Sequence, residues 1–210
     1  MHVKSLMIPF EELQVLRTTD TVEEALRHIE SANLLSLPVV DQHNVFVGVL
    51  SKRYIFEDFY KGDNYDKASF NKRLVQTFMR TKLPVTEENI YIEEAALFLF
   101  ENRMQFLPIV DEHNHKLKGI IPNNALLKKY KDIFGIKHPR LVIYVYDFKG
   151  KMAQIINIVN KNGGNIRNIV QVDTEVMGLT EITLRVECKD LDKLVRHLEQ
   201  HSFEVREISE

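Results

Sequence analysis

The stretch that most constrains this chain is LPVVDQHNVFVGVLSKRY at 37–54, because the chain contains it twice. The second copy, LPIVDEHNHKLKGIIPNNA, lies at 107–125. A duplicated unit has to be settled before any other assignment, since overlooking a repeat misassigns the whole fold. In the first copy the apolar runs Leu37–Val40 and Val45–Leu50 flank the polar turn Asp41-Gln42-His43-Asn44. Two β-rich runs around an Asx-rich turn predict a hairpin. Gly48, inside the second run, marks a place where another segment approaches the backbone closely.

The duplication extends upstream. Thr21-Val22-Glu23-Glu24-Ala25-Leu26 matches Tyr91-Ile92-Glu93-Glu94-Ala95-Ala96, and Leu6-Met7 matches Phe78-Met79. Each copy reads as a lead-in segment, an amphipathic helix, the hairpin and a second helix. A copy of about sixty residues cannot comfortably bury a full core by itself, so the two are expected to pack together with approximate two-fold symmetry. Val22, Ala25, Leu26 and Ile29 form one helical stripe, and Thr21 with Glu24 has the form of a capping box. The matching helix, Ile92 to Met104, is apolar nearly all round and is expected to be buried on more than one side. Its extra apolar face suits core packing or an interface. The polar stretch Lys61–Arg73 reads as the connection between copies, and Lys131–Arg140 as a second break.

From Leu141 onward the order becomes strand, helix, strand, strand, helix, strand, the ferredoxin-like βαββαβ arrangement. Met152, Ile155, Ile156 and Val159 form one helical stripe and Leu191, Leu194, Val195 and Leu198 the other. Ile182, Leu184 and Val186 alternate as a strand with one buried face.

The helix ending at Leu34 or Met104, then LPVVD or LPIVD, then a glycine with two apolar residues and a short helix, resembles the cystathionine-β-synthase (CBS) domain family. Two copies resemble the tandem CBS pair, or Bateman module, over roughly 1–131. Asp147-Phe148-Lys149-Gly150-Lys151-Met152 and Gly163-Gly164-Asn165-Ile166 resemble the ACT domain family, with Lys149 where proline is common. The expected class is therefore α+β: CBS domains at 1–60 and 74–131 and an ACT domain at 140–210. A CBS pair followed by an ACT unit in so short a chain resembles the AcuB-like group.

Several chemistries find no support in the residues. There is no Gly-x-Ser-x-Gly elbow, P-loop or GxGxxG. Cys188 is the single cysteine, so no intramolecular disulfide can form, and it reads as structural rather than nucleophilic. His113 and His115 alternate across the hairpin turn without further ligands, so no metal site is expected. A net charge of −2 gives no reason to expect nucleic-acid binding. No apolar run is long enough for a membrane span, and Met1-His2-Val3-Lys4 does not open a signal peptide, so a cytoplasmic, non-enzymatic protein is expected.

The CBS resemblance implies an adenine nucleotide between the repeats, with Leu37, Pro38 and Val39 near the base and Thr18 before the helix. Ser51 starts the second helix and offers a hydroxyl and an orphan amide to a phosphate. Lys52 and Arg53 add positive charge at an end where cations oppose the helix dipole, a conflict that a bound anion would relieve. Nucleotide-binding members carry an Asp for the ribose hydroxyls where Tyr54 and Ala125 stand, and a hydroxyl where Pro122 stands. A cyclic dinucleotide such as cyclic di-AMP, whose 3′-oxygen is esterified, suffers least from that loss. The second cleft, at Leu107, Pro108, Ile109 and Asn123, is expected to be weaker. The ACT resemblance implies a small effector at Asp147, Gly150, Asn165 and Ile166, and a homodimer. The expected function is a ligand sensor acting on a partner protein, with no bound cofactor. The alternative is a structural, partner-binding dimer with vestigial clefts.

Overall fold

The computed structural model describes residues 1–62, 66–146, 149–176 and 178–209. The chain forms two compact units, Met1–Leu126 and Leu127–Glu210. In the first, the short strands β1 (Ile8–Pro9) and β2 (Leu16–Arg17) lead into helix α1 (Val22–Ser31). Strands β3 (Ser36–Val40) and β4 (Phe46–Ser51) and helices α2 (Lys52–Lys61) and α3 (Lys67–Asn71) follow. The second repeat supplies α4 (Ile92–Glu101), β5 (Phe106–Val110), β6 (Leu117–Pro122) and α5 (Asn123–Ile133), the last crossing from one unit into the other.

Local chemistry explains these elements. The Thr21 hydroxyl accepts the Glu24 N–H while the Glu24 carboxylate accepts the Thr21 N–H at 2.8 Å, a closed capping box on α1. The hairpins have one register twice over: Leu37 faces Leu50 as Leu107 faces Ile121, each with a bulge near the turn. Asp41 Oδ1 accepts the N–H groups of His43 and Val45, so the Asx residue builds the turn, as Asp111 does for His113 and Asn114.

The lead-in segments cross over between the repeats. β1 pairs antiparallel with β6 of the second repeat, whereas Arg80, from the second lead-in, exchanges two hydrogen bonds with Val49 of β4 in the first. The close approach expected at Gly48 is this crossing. A Cβ there would lie 2.5 Å from the Arg80 carbonyl oxygen, and one on Gly119 would strike the Ile8 carbonyl and the Met7 side chain. The hairpin turns also meet, Phe46 N–H donating to the His115 carbonyl and Leu117 N–H to that of Asn44.

The connecting segment Lys61–Arg73 contains α3, and one expectation, for α4, needs correction. Asp66 caps α3 by accepting the Ser69 N–H at 2.9 Å, and Phe70 is buried with its ring centroid 5.0 Å from that of Phe59. Helix α4 ends at Glu101 and not at Met104, and it is not buried on more than one side in this chain. Ile92, Ala95 and Leu99 face the core, but Leu97 and Phe100 are 58% and 83% exposed.

The second unit contains β7 (Arg140–Tyr146), α6 (Lys151–Lys161), β8 (Asn165–Asp173), β9 (Leu179–Glu187), α7 (Leu191–Gln200) and β10 (Glu204–Ser209). The strand order is β10-β7-β9-β8, antiparallel throughout, which is the ferredoxin-like arrangement. Alternating Leu141, Ile143 and Val145 of β7 and Ile182, Leu184 and Val186 of β9 meet Ile155, Ile158 and Val159 of α6 and Leu194, Val195 and Leu198 of α7 in one core closed by Phe203, so that Ile158 and not Ile156 completes the α6 stripe. No helix among the described residues is long and apolar enough to cross a membrane.

The crossings set a prediction. Gly48→Ala and Gly119→Ala each place a methyl against a backbone carbonyl that cannot retreat without breaking a pairing. Each should cost about 3 kcal/mol, the upper part of the range for overpacking, read as a lower urea midpoint. A loss below about 0.5 kcal/mol at both sites would show that the crossings are loose.

Candidate functional site

The end of β4 and the start of α2 form one wall of a cleft between the repeats. α1 and α4 each end in a Schellman turn, with Leu34 N–H bonded to the Ile29 carbonyl and Met104 N–H to that of Leu99, both at 3.0 Å. These turns bring Leu35 and Ser36 from one repeat, and Asn102 to Phe106 from the other, to the same cavity of about 240 Å³. Leu35, Val49, Leu83, Met104 and Phe106 give it apolar surface, and Ser36, Ser51, Asn102 and Gln105 give hydrogen-bonding groups. Such a mixture, an apolar lining with a few convergent polar groups, is what small-molecule sites use, and the volume lies just below the usual range of about 300–1,000 Å³.

The electrostatics of the cleft are one-sided. Lys52, Arg53, Arg80 and Arg103 line it, and among the described residues no carboxylate does. Lys52 Nζ lies 3.3 Å from Glu30 and Arg53 Nε 2.6 Å from Glu57, so two of these charges are offset by carboxylates beyond the lining. The Arg53 hydrogen bond holds the Glu57 carboxyl below the usual carboxylate range. Arg80 and Arg103 have no ion-pair partner among the described residues. The conflict expected between the α2 dipole and its two cations is therefore relieved already by Glu30 and Glu57. The Ser51 hydroxyl accepts the Tyr54 N–H at 3.3 Å and Lys52 N–H donates to the Leu35 carbonyl at 3.0 Å, so two first-turn donors are satisfied within the protein.

The CBS domain model matches residues 3–61 and 75–132, more than half of the chain. This chain belongs to the CBS-domain family. It is 34% identical over 65% of its length to an inosine-5'-monophosphate dehydrogenase of Methanocaldococcus jannaschii, spanning 26% of that protein. It is 28% identical over 60% of its length to the chloroplastic CBS domain-containing protein CBSX1 of Arabidopsis thaliana, spanning 62% of it. The chain thus covers less than two thirds of these two relatives. Among solved structures, CBSX2 in complex with AMP is 26% identical, with a TM-score of 0.54 over 63% of this chain and 97% of that one.

Within the CBS pair, the sequence-derived site residues fall into separate places. Ser51, Lys52 and Arg53 line the cleft together with Tyr54. Leu37, Pro38 and Val39 are buried in β3, one residue beyond the cleft wall formed by Leu35 and Ser36. Thr18 lines a different depression, with Arg17, Thr19, Asp41 and Gln42. In the second CBS repeat, Leu107, Pro108 and Ile109 are buried in β5, and Asn123 opens α5 with its N–H on the Gln105 carbonyl at 2.9 Å. In the second unit, Gly150 has φ +78° at the N-cap of α6, Asn165 is exposed where β8 starts, and Ile166 packs partly against the core. Asp147 lies outside the described residues. Cys188 is half-buried, its Sγ 3.5 Å from the Asp190 carbonyl oxygen. No group of three or more His, Cys, Asp or Glu among the described residues is arranged to hold a metal. The sequence reading missed Arg80, Leu83 and the Asn102–Phe106 turn, which reach the site only through the crossing and the α4 turn.

Removing an offsetting carboxylate frees cleft charge. Glu30→Gln and Glu57→Gln should each tighten tripolyphosphate binding about three- to tenfold at low salt, with the gain shrinking at 0.5 M NaCl. Calorimetry reads this directly, and unchanged affinity in both variants would place the anion away from Lys52 and Arg53.

Proposed function

We propose that the cleft beside Ser51 binds an adenine nucleotide (AMP, ADP, ATP or cyclic di-AMP) and that the chain is a non-catalytic regulator of a partner protein. The observation that carries this reading is the cleft itself, which no carboxylate lines among the described residues. Four cations and the Ser51 N-cap surround apolar surface from both repeats, which suits a flat base attached to phosphate. The AMP complex of the related CBSX2 supports the same ligand class. Base contacts fall to Leu35, Met104 and Phe106 more than to Leu37, Pro38 and Val39, which serve the core. Regulation then needs no chemistry from this chain: a ligand acts through its differential affinity for two arrangements of the repeats.

We assign domains to 1–60, 74–131 and 140–210, the last as an ACT unit in an AcuB-like order that dimerises and reads a small metabolite near Gly150, Asn165 and Ile166. Its four-strand order and the left-handed Gly150 that opens α6 favour that assignment. The second CBS repeat has Pro122 and Ala125 where the first has Ser51 and Tyr54, and it is given a scaffolding role. If the first cleft proves as silent, the reading becomes a structural dimer with vestigial clefts.

Calorimetry with AMP, ATP and cyclic di-AMP tests the proposal, the expected result being saturable heat for at least one of them. A ligand at 100 times its Kd should add about 2.7 kcal/mol and raise the melting temperature by several degrees. No heat and no thermal shift at millimolar ligand would leave the scaffold reading.

A further inference from the structure

The turn that ends α4 uses a residue its position does not favour. In a Schellman turn the residue after the C-cap adopts left-handed backbone, which glycine and asparagine tolerate best. The first CBS repeat places Asn33 there with φ +53°, and α6 is followed by Gly163 with φ +69°. The second repeat places Arg103 there, with φ +52°. Arginine gains nothing from this backbone, and backbone strain retained in a structure points to a site that uses the residue. Arg103 has no ion-pair partner among the described residues, is exposed, and lines the cleft from the repeat opposite Ser51.

We infer that Arg103 forms a second phosphate-binding pole across the cleft from Ser51, with Arg80 lining the same cleft from its place beside β4, so that the cleft selects a ligand carrying two or more phosphates over a monophosphate. The inference rests on the nucleotide reading above and sharpens its ligand class. The cleft cations come from three separate stretches of chain, 52–53, 80 and 103. A single phosphate held at the Ser51 corner leaves Arg103, on the facing turn, without an anion. A chain of two or three phosphates sets negative charge opposite each pole, and the arginine fork grips it with two parallel N–H donors.

The test is calorimetry with AMP, ATP and inorganic tripolyphosphate in EDTA at fixed ionic strength, on the wild-type chain and Arg103→Asn, with melting temperatures of both. Arg103→Gly, equally suited to left-handed backbone, serves if the first variant does not fold. The wild type is expected to bind ATP and tripolyphosphate about tenfold or more tightly than AMP, one charge-assisted contact being worth about that factor. Arg103→Asn should lose most of this preference and melt about 1–3 °C higher without ligand because the strain is gone. Equal wild-type affinities for AMP and ATP, or a variant that keeps the full preference, would overturn the inference while leaving the nucleotide reading intact. Tripolyphosphate binding that depends on Arg103, with no nucleotide bound, would support the pole and overturn the adenine reading. No binding of any of the three to the wild type would overturn both.

Discussion

The reciprocal crossing of the lead-in segments holds the CBS pair in its arrangement. The first repeat's own strands pair as β2-β3-β4 and the second's as β5 with β6, and the other repeat's lead-in fills the open side of each: β1 lies on β6, and Arg80 lies on β4. Backbone hydrogen bonds of this kind demand close approach, and the two glycines at 48 and 119 permit it. The crossing also has a functional consequence. It carries Arg80 from the second repeat's lead-in to the mouth of the first repeat's cleft, so the link that joins the repeats also charges the site.

The cleft shows how a protein with a net charge of −2 creates a local cationic field. Its acids are numerous but placed elsewhere: Glu30 and Glu57 meet Lys52 and Arg53 beyond the lining, and Asp58 pairs with Arg73 at 3.0 Å. Among the described residues, the cavity cations without an ion-pair partner are Arg80 and Arg103. A low-dielectric concavity strengthens the attraction of such charges for an anion relative to the same charges on an open surface. The apolar residues beside them give a base somewhere to lie, which a bare cationic patch would not.

Much of the scaffold was legible in the sequence because it follows from periodicity and turn chemistry. The hairpin around Asp41, the α1 capping box and the ferredoxin-like order after Leu141 all rest on local patterns that tertiary packing did not override. Helix α3 escaped notice although Asp66 with Ser69 three residues later is a cap signal, because its buried anchor, Phe70, stands alone among polar residues. The composition of α4 suggested burial all round, yet one chain supplies a cover for only one of its faces. Half of the site was readable, since Ser51, Lys52 and Arg53 are consecutive. Arg80 and Arg103 were not, because neither the crossing nor the left-handed turn that delivers them has a linear signature. Glu57 lies four residues beyond Arg53 on one helix, a spacing that could have revealed their pairing.

A crystal structure grown with ATP tests the central claim most directly. The expected result is a base against Leu35, Met104 and Phe106, with the phosphate chain running from the Ser51 corner towards Arg80 and Arg103. A nucleotide lodged instead in the depression at Arg17 and Thr18, or phosphates turned away from both arginines, would contradict it.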